Sequence, residues 1–135
     1  MKKYSLLFLT LLIFNCEDEG YRLAADPIVG VWSLTSASYY GVPLILDSCH
    51  LDSYLNVVAG GTGEANYFLT ETQNGIDSCS SSQILEFSYL PVSGNENNYS
   101  FDYDGFDLEV SLSGDTLIIS EQFNDYADAA TFTRN

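Results

Sequence analysis

Short apolar segments alternate with clusters of glycine, asparagine, aspartate and serine along most of the chain, from Pro27 to Asn135. The segments are rich in β-branched and aromatic residues, and no helical period extends beyond two turns. This pattern predicts an all-β domain, because strands need only a few alternating residues whereas helices need a longer amphipathic repeat. The eight predicted strands are approximately Gly30–Tyr39, Ser53–Ala59, Glu64–Thr70, Gln83–Tyr89, Asn98–Tyr103, Phe106–Leu112, Thr116–Glu121 and Asp128–Arg134.

The Asp104-Gly105 pair predicts a tight turn between the fifth and sixth strands, because such turns require a positive φ. A two-residue turn would pair Tyr103 with Phe106, Phe101 with Leu108 and Tyr99 with Val110 on one face, and Asp102 with Asp107 and Ser100 with Glu109 on the other. The first face is apolar and the second is polar, which favours an antiparallel meander with one side on the core.

Eight short antiparallel strands that share one inward face close most readily into a barrel, because closure removes the exposed edges of the sheet. The pattern therefore predicts a small eight-stranded antiparallel up-and-down barrel. The chain is long enough for one such domain with a modest core.

Gly30-Val31-Trp32 opens the first predicted strand, and Arg134 closes the last. This pair resembles the lipocalins, whose first strand carries Gly-x-Trp and whose barrel ends on an arginine that packs across the tryptophan. The resemblance implies that Gly30, Trp32 and Arg134 close one end of the barrel. A guanidinium over an indole face contributes about 1 kcal/mol.

Two further segments, together with the placement of Cys49 and Cys79, are similar to the small bacterial lipocalin-like domain lipoproteins. The segments are Ile28–Leu34 and Leu112–Leu117. The resemblance covers Pro27 to Asn135 and implies a lipocalin/calycin-type barrel in a bacterial envelope protein. No stretch corresponds to the long helix that packs on the barrel of full-size lipocalins.

The first fifteen residues read as a secretory signal. Lys2 and Lys3 precede the apolar run Leu6–Phe14, which is shorter than the roughly 20 residues that cross a bilayer. Cys16 stands where cleavage is expected, which indicates a lipoprotein with its lipid on Cys16. Lipoprotein signals usually carry small residues before the cysteine, whereas Phe14 and Asn15 precede Cys16 here. The alternative is therefore cleavage near Ala24-Ala25, which would remove Cys16.

The domain organisation follows from this signal. Residues 1–15 are the predicted signal peptide, residues 16–26 carry the lipidated Cys16 and a flexible acidic tether, and residues 27–135 form the barrel. The triplet Glu17–Glu19 resembles the surface-export tags of some bacterial lipoproteins. We therefore expect a cell-envelope protein that is attached to the outer membrane and could be exposed on the cell surface.

Charge narrows the range of partners. The chain has 19 acidic and 4 basic residues, for a formal net charge of −15. Nucleic acids and anionic lipid surfaces are therefore poor partners, whereas cationic proteins, metal ions and neutral ligands remain. Solubility alone would also explain such a surface. We expect a monomer.

The remaining two cysteines suit one disulfide. With Cys16 lipidated, Cys49 and Cys79 would pair in the oxidising cell envelope. Free buried thiols are the alternative. The spacing of the cysteines does not match a metal site.

Nothing in the chain indicates catalysis, a cofactor or a metal. His50 is the only histidine, and no nucleophile turn accompanies it. Asp102, Asp107 and Glu109 would share a wet face, but their spacing does not match a twelve-residue calcium loop. A solvated acidic face is the simpler interpretation.

Aromatic residues are the remaining candidates for a binding site. Side chains that project inward could line a cavity and use their hydroxyls as polar anchors. The alternative is that they fill the interior, because an eight-stranded barrel is just wide enough for its own side chains or one small ligand. The candidate lining residues are Tyr54, Tyr67, Phe87, Tyr89, Phe101 and Tyr103.

The sequence thus predicts a non-enzymatic, lipid-anchored envelope lipoprotein that binds a small apolar or amphipathic ligand. The alternative function is an acidic interaction or inhibitor module that docks a cationic protein.

Overall fold

The computed structural model describes residues 26–123 and 126–135. Nine strands and one short 3₁₀ helix, His50–Asp52, form within these ranges. The strands are β1 (Gly30–Tyr39), β2 (Val42–Pro43), β3 (Tyr54–Val58), β4 (Thr62–Gln73), β5 (Ile76–Pro91), β6 (Asn98–Tyr103), β7 (Phe106–Ser113), β8 (Thr116–Phe123) and β9 (Tyr126–Arg134).

Eight of these strands form a closed antiparallel barrel. Each strand from β3 to β8 pairs with the next along the chain, and β1 closes the sheet by pairing with both β3 and β9. The two-residue strand β2 adds a small hairpin to the end of β1. The predicted eight-stranded up-and-down barrel is confirmed.

The core lies inside the barrel and follows the period-two alternation of the strands. Along β7, for example, Leu108, Val110 and Leu112 point inward, whereas the residues that alternate with them are polar. The largest fully buried side chains include Trp32, Phe101, Phe132, Leu55 and Leu117.

The hairpin at Asp104-Gly105 has the register that its sequence predicts. All five expected pairs between β6 and β7 are present, and Asp104 adopts a φ of +49°. Tyr99, Phe101 and Val110 are buried on the inner face. Phe106 shares their face but is 63% exposed, because it lies at the rim where the hairpin turns.

The hairpin of β4 and β5 is longer than predicted. Its two strands continue to a turn at Asn74-Gly75, whereas the predicted segments ended at Thr70 and began again at Gln83. Apart from Ile76 and Cys79 the extra residues are polar, and most are exposed, so they lack the apolar alternation that marks a strand. The turn itself carried a signal, since Asn-Gly favours a tight hairpin turn.

The predicted signal peptide, Cys16 and the tether up to residue 25 lie outside the described residues. Asp26, the last residue of the predicted tether, contacts the barrel through a hydrogen bond from Tyr99. No helix in the described ranges is long and apolar enough to span a membrane.

Candidate binding site at the open end of the barrel

Trp32 and Arg134 lie together at one end of the barrel, which we call the closed end. They are paired across β1 and β9, and the guanidinium carbon lies 4.2 Å from the centroid of the indole ring. The indole is fully buried, and its Nε1 donates a 2.9 Å hydrogen bond to the carbonyl of Ile28.

Arg134 also holds the segment that leads into β1. Its guanidinium donates hydrogen bonds to the carbonyls of Val29, at 2.9 Å, and of Pro27. Gly30 makes room for this contact, because a Cβ there would lie 2.7 Å from Nη1 of Arg134. Gly30 also has a φ of +148°, which side-chain-bearing residues rarely adopt. The three predicted closure residues are therefore in contact.

Asp26 completes the closed end. Its carboxylate accepts a 2.6 Å hydrogen bond from the hydroxyl of Tyr99 and a 3.2 Å bond from the backbone N–H of Ile28. Burial, followed by the hydrogen bond to this carboxylate, raises the pKa of Tyr99 well above its usual range. The chain therefore enters the barrel at the closed end.

The barrel interior keeps one small apolar cavity of about 50 Å³. The rings of Phe87 and Phe101 form part of its wall and stack on each other, with centroids 4.4 Å apart. The cavity is lined by Leu55, Ala65, Tyr67, Leu85, Phe87, Phe101, Tyr103, Leu108 and Ile119. Side chains therefore fill most of the interior.

Four of the six predicted lining residues meet at this cavity: Tyr67, Phe87, Phe101 and Tyr103. Tyr89 is also buried but does not line it, because its hydroxyl donates a 3.1 Å hydrogen bond to the carbonyl of Val58 towards the closed end.

The assignment of Tyr54 to the cavity was wrong. Ser53, Leu55 and Val57 are the buried positions of this segment, so Tyr54 has the opposite phase and faces outward. There its hydroxyl lies 3.4 Å from the side-chain amide of Asn66, on the outer face of β4.

The sequence interpretation missed the aliphatic half of the cavity wall. Leu108 was placed on the apolar face of its hairpin but was not counted as a lining residue. Leu85 has the phase of Phe87, and Ile119 has the inward phase of Leu117. The alternation that identified the aromatic residues could therefore have identified these three as well.

The cavity lies towards the open end, which is the end of the barrel where β1, β4, β6 and β8 finish. A second hollow of about 210 Å³ lies at this mouth and shares Leu108 and Ile119 with the cavity. Glu121 and Asp128 line it and are directly opposite each other in β8 and β9. An apolar interior therefore opens past two carboxylates.

A loop is fastened beside the open end by the predicted disulfide. Cys49 and Cys79 are bonded, with Cα atoms 5.4 Å apart, so the disulfide is confirmed. Asp47 accepts hydrogen bonds from the backbone N–H of His50, at 2.9 Å, and from the hydroxyl of Thr70, at 2.7 Å. These bonds lower the pKa of Asp47 to about 2.

His50 takes part in the same loop contacts. Its Nδ1 lies 2.6 Å from the Asp47 carboxylate, so the two side chains, three residues apart in the sequence, contact each other across a turn. Large apolar side chains on this loop and the adjoining hairpin are exposed, with Ile45 fully so. They include Tyr39, Val42, Leu44, Ile45, Leu69 and Ile76.

Carboxylates face each other across strands on the outer surface. Glu64 lies opposite Glu86, and Asp102 lies opposite Asp107. Glu64, Glu86 and Asp102 border a surface groove of about 520 Å³. No cluster of three or more histidine, cysteine or acidic residues in the described ranges could hold a metal ion.

The fold and these contacts define a closed eight-stranded antiparallel barrel that is consistent with a lipocalin-like fold. Comparison with protein-family models, curated proteins and solved structures gives no match.

Proposed function

We propose that this chain is a non-enzymatic lipoprotein of the cell envelope that binds a small apolar or amphipathic ligand at the open end of a lipocalin-like barrel. In this proposal residues 1–15 are removed as a signal peptide, and Cys16 carries the lipid. Residues 16–26 then tether the domain of residues 27–135 to the outer membrane.

The direction of the barrel supports an anchored binding module. Asp26 contacts the closed end through Tyr99, so an anchor attached upstream would hold that end towards the membrane. The loop fastened by Cys49 and Cys79 would face away from it. The mouth of the barrel would then be accessible to ligands outside the membrane.

The observation that carries the ligand proposal is the apolar cavity that adjoins an acidic mouth. Its volume of about 50 Å³ is far below the roughly 300–1,000 Å³ of sites that enclose drug-sized ligands. A ligand would therefore insert only a short apolar end. Its polar part would stay near Glu121 and Asp128, which suits an amphipathic molecule.

Xenon and a series of short alkanols and alkylammonium ions would test this proposal by NMR, because small apolar cavities accept such probes. We expect shifts in the methyl signals of Leu85, Leu108 and Ile119, and tighter binding of alkylammonium than of alkanol. Ala65→Val should fill the cavity and weaken binding, whereas Val57→Ile enlarges a buried residue elsewhere. Unshifted methyl signals, or equal effects of the two variants, would contradict the proposal.

A cationic protein is the second candidate partner, and the opposed carboxylates on the outer face favour it. Like charges directly opposite each other destabilise a sheet, and a basic partner would relieve that repulsion. A small basic protein such as lysozyme should bind at low ionic strength and dissociate as salt is added.

Neutral variants separate this electrostatic function from general acidity. Glu86→Gln with Asp107→Asn should weaken the binding of the basic protein more than Glu96→Gln with Asp115→Asn, which changes the net charge equally. Equal weakening by the two pairs would argue against a defined binding face.

Mass spectrometry of the mature protein tests the anchor. We expect a diacyl- or triacyl-modified Cys16 at the first position, and we expect Cys16→Ala to remain unlipidated. A mature chain that begins after Ala24 or Ala25 would contradict lipidation and leave the barrel unanchored.

A further inference from the structure

The strand β5 extends far beyond its neighbour in the barrel. It is 16 residues long, but β6 pairs with it only along Ser88–Pro91. On its other side β4 accompanies it from Ser88 to Ile76. Within the described ranges, the segment Ile76–Phe87 therefore has an open edge on the β6 side, about 40 Å long at 3.3 Å per residue. We call this segment the β5 edge.

The opposite side of the same hairpin is covered. The backbone N–H of Phe68 donates a 3.0 Å hydrogen bond to the hydroxyl of Ser53, and Thr70 binds Asp47. The loop fastened by the disulfide thus occupies the free side of β4. The disulfide from Cys79 brings the same loop to the outer face of β5, but in the described part of the chain no backbone hydrogen bond covers the β6 side of the β5 edge.

Proteins usually protect an exposed edge with charged side chains, lysine above all, with proline, with a bulge or with a very short strand. The β5 edge contains neither lysine nor proline. Its one irregularity is an extra residue in β5, where Tyr67 pairs with Gln83 and Phe68 with Ser81. Unpaired N–H and C=O groups along such a strand are a template for an additional strand.

We propose that the β5 edge binds an extended basic segment of another protein, which adds a strand to the sheet. A carboxylate lies near each end of the edge: Asp77 near the Asn74-Gly75 turn, and Glu86 near the point where the pairing with β6 begins. Asp77 lies opposite Thr72 and Glu86 lies opposite Glu64, and the unbroken alternation of β4 puts both on the outer face. The partner strand would carry a basic residue opposite each carboxylate.

Charge disfavours a second copy of this chain as the occupant. Antiparallel self-pairing along the whole edge would place Asp77 of each copy opposite Glu86 of the other. Like charges directly opposite each other destabilise a sheet, and each copy has a net charge of −15. A basic strand replaces both repulsions with attractions.

This inference rests on the second function proposed above, because it specifies how a cationic protein would dock. It is independent of the cavity. An electrostatic partner that only lies against the outer face would leave the backbone of β5 unpaired, so the two modes can be separated by experiment.

A synthetic eleven-residue peptide with Lys at positions 2 and 10, and Thr and Val alternating elsewhere, tests the inference; the two lysines are eight residues apart, as are Glu64 and Thr72 opposite Glu86 and Asp77 in β4, so both lie on one face. Its symmetric charges can face Asp77 and Glu86 in either strand direction. Two further peptides carry backbone N-methyl groups at the even or at the odd positions. Since alternate amides of a strand face its neighbour, only one methylated peptide should lose affinity, by tenfold or more.

Hydrogen exchange locates the contact. The lysine peptide should slow amide exchange in Ile76–Phe87, and lysozyme should compete only if it uses the same edge. Equal affinity of all three peptides, or protection confined to other strands, would overturn strand addition without affecting the electrostatic function. Self-association of the protein alone, with protection of the same amides, would overturn the choice of a basic partner.

Charge reversal supplies the matched control. Asp77→Lys with Glu86→Lys should reverse the preference, so that a peptide with Glu at positions 2 and 10 binds better than the lysine peptide. Asp107→Lys with Glu109→Lys changes the net charge equally on β7 and should keep the original preference. The same reversal in both variants would refute the assignment to this edge.

Discussion

Replacing Arg134 with alanine should lower the free energy of unfolding by about 2–4 kcal/mol. The contact of its guanidinium with Trp32 contributes about 1 kcal/mol, and hydrogen bonds that involve a charged group contribute about 1.5–3 kcal/mol each. The lower part of that range applies, because the Arg134 side chain is 31% exposed. The 3.4 Å ion pair with Asp115 adds little, since Asp115 is almost fully exposed.

Two companion variants divide this loss among the contacts. Arg134→Lys keeps the charge but loses the forked donor, so it should cost about half as much as the alanine variant. Asp115→Asn removes only the exposed ion pair and should cost less than about 0.5 kcal/mol. None of the three should change the binding of xenon or alkylammonium, because Arg134 lies at the end away from the cavity.

Urea denaturation measures these differences. Trp32 is the only tryptophan, so its fluorescence reports directly on the closed end, and far-UV circular dichroism reports on the whole barrel. The two signals should give one transition with an unchanged m value. A loss below about 0.5 kcal/mol for Arg134→Ala would refute this account. So would Asp115→Asn with a loss equal to that of the alanine variant.

Three further predictions concern other parts of the barrel. Cys49→Ala with Cys79→Ser should lower the free energy of unfolding by up to about 3.5 kcal/mol in the same assay, because the disulfide restricts the unfolded chain; no loss would show that it does not stabilise the barrel. Because the pKa of Tyr99 is raised, its stabilisation is present below pH 10 and lost above it; Tyr99→Phe should therefore flatten the alkaline decline in urea midpoint, and equal declines would contradict this. Gly63→Ala should cost about 1–3 kcal/mol, because its Cβ would lie 2.4 Å from the ring of Phe87. Adding Phe87→Leu to Gly63→Ala should recover part of the lost thermal stability. An equal loss in the single and the double variant would argue against the clash.

The parts of the fold that the sequence predicted correctly are those where alternation and turn chemistry agree. In the hairpin at Asp104-Gly105 both signals specify one register, and the structure has it. The disulfide needed no geometry, because only two cysteines remained once Cys16 was assigned to lipid.

The β5 edge could not be predicted in the same way. Apart from Ile76 and Cys79 the segment from Thr70 to Gln83 is polar on both faces, so no hydrophobic period marks it as strand. Its pairing comes from the Asn74-Gly75 turn and from side-chain contacts such as that of Thr72 with Asp77. A strand outside the core has no apolar face to be recognised by.

The cavity was beyond sequence reasoning for a different reason. Alternation predicts which side chains point inward, but the remaining volume depends on how the rings pack. The stacking of Phe87 on Phe101 leaves about 50 Å³, and a different rotamer of either ring would change that volume. The error at Tyr54 was avoidable, because Leu55 and Val57 already set the phase of β3.

The distribution of charge connects the fold to the proposed functions. Between Arg22 and Arg134 the chain has no lysine or arginine, and Arg134 is engaged at the closed end. The opposed carboxylates on the outer face therefore have no basic side chain from the described ranges to offset their repulsion. Such pairs lower the stability of the isolated barrel, by up to about 1 kcal/mol each. The proposed docking of a cationic protein would offset this repulsion, because the partner would supply the positive charge that the described residues lack on this face.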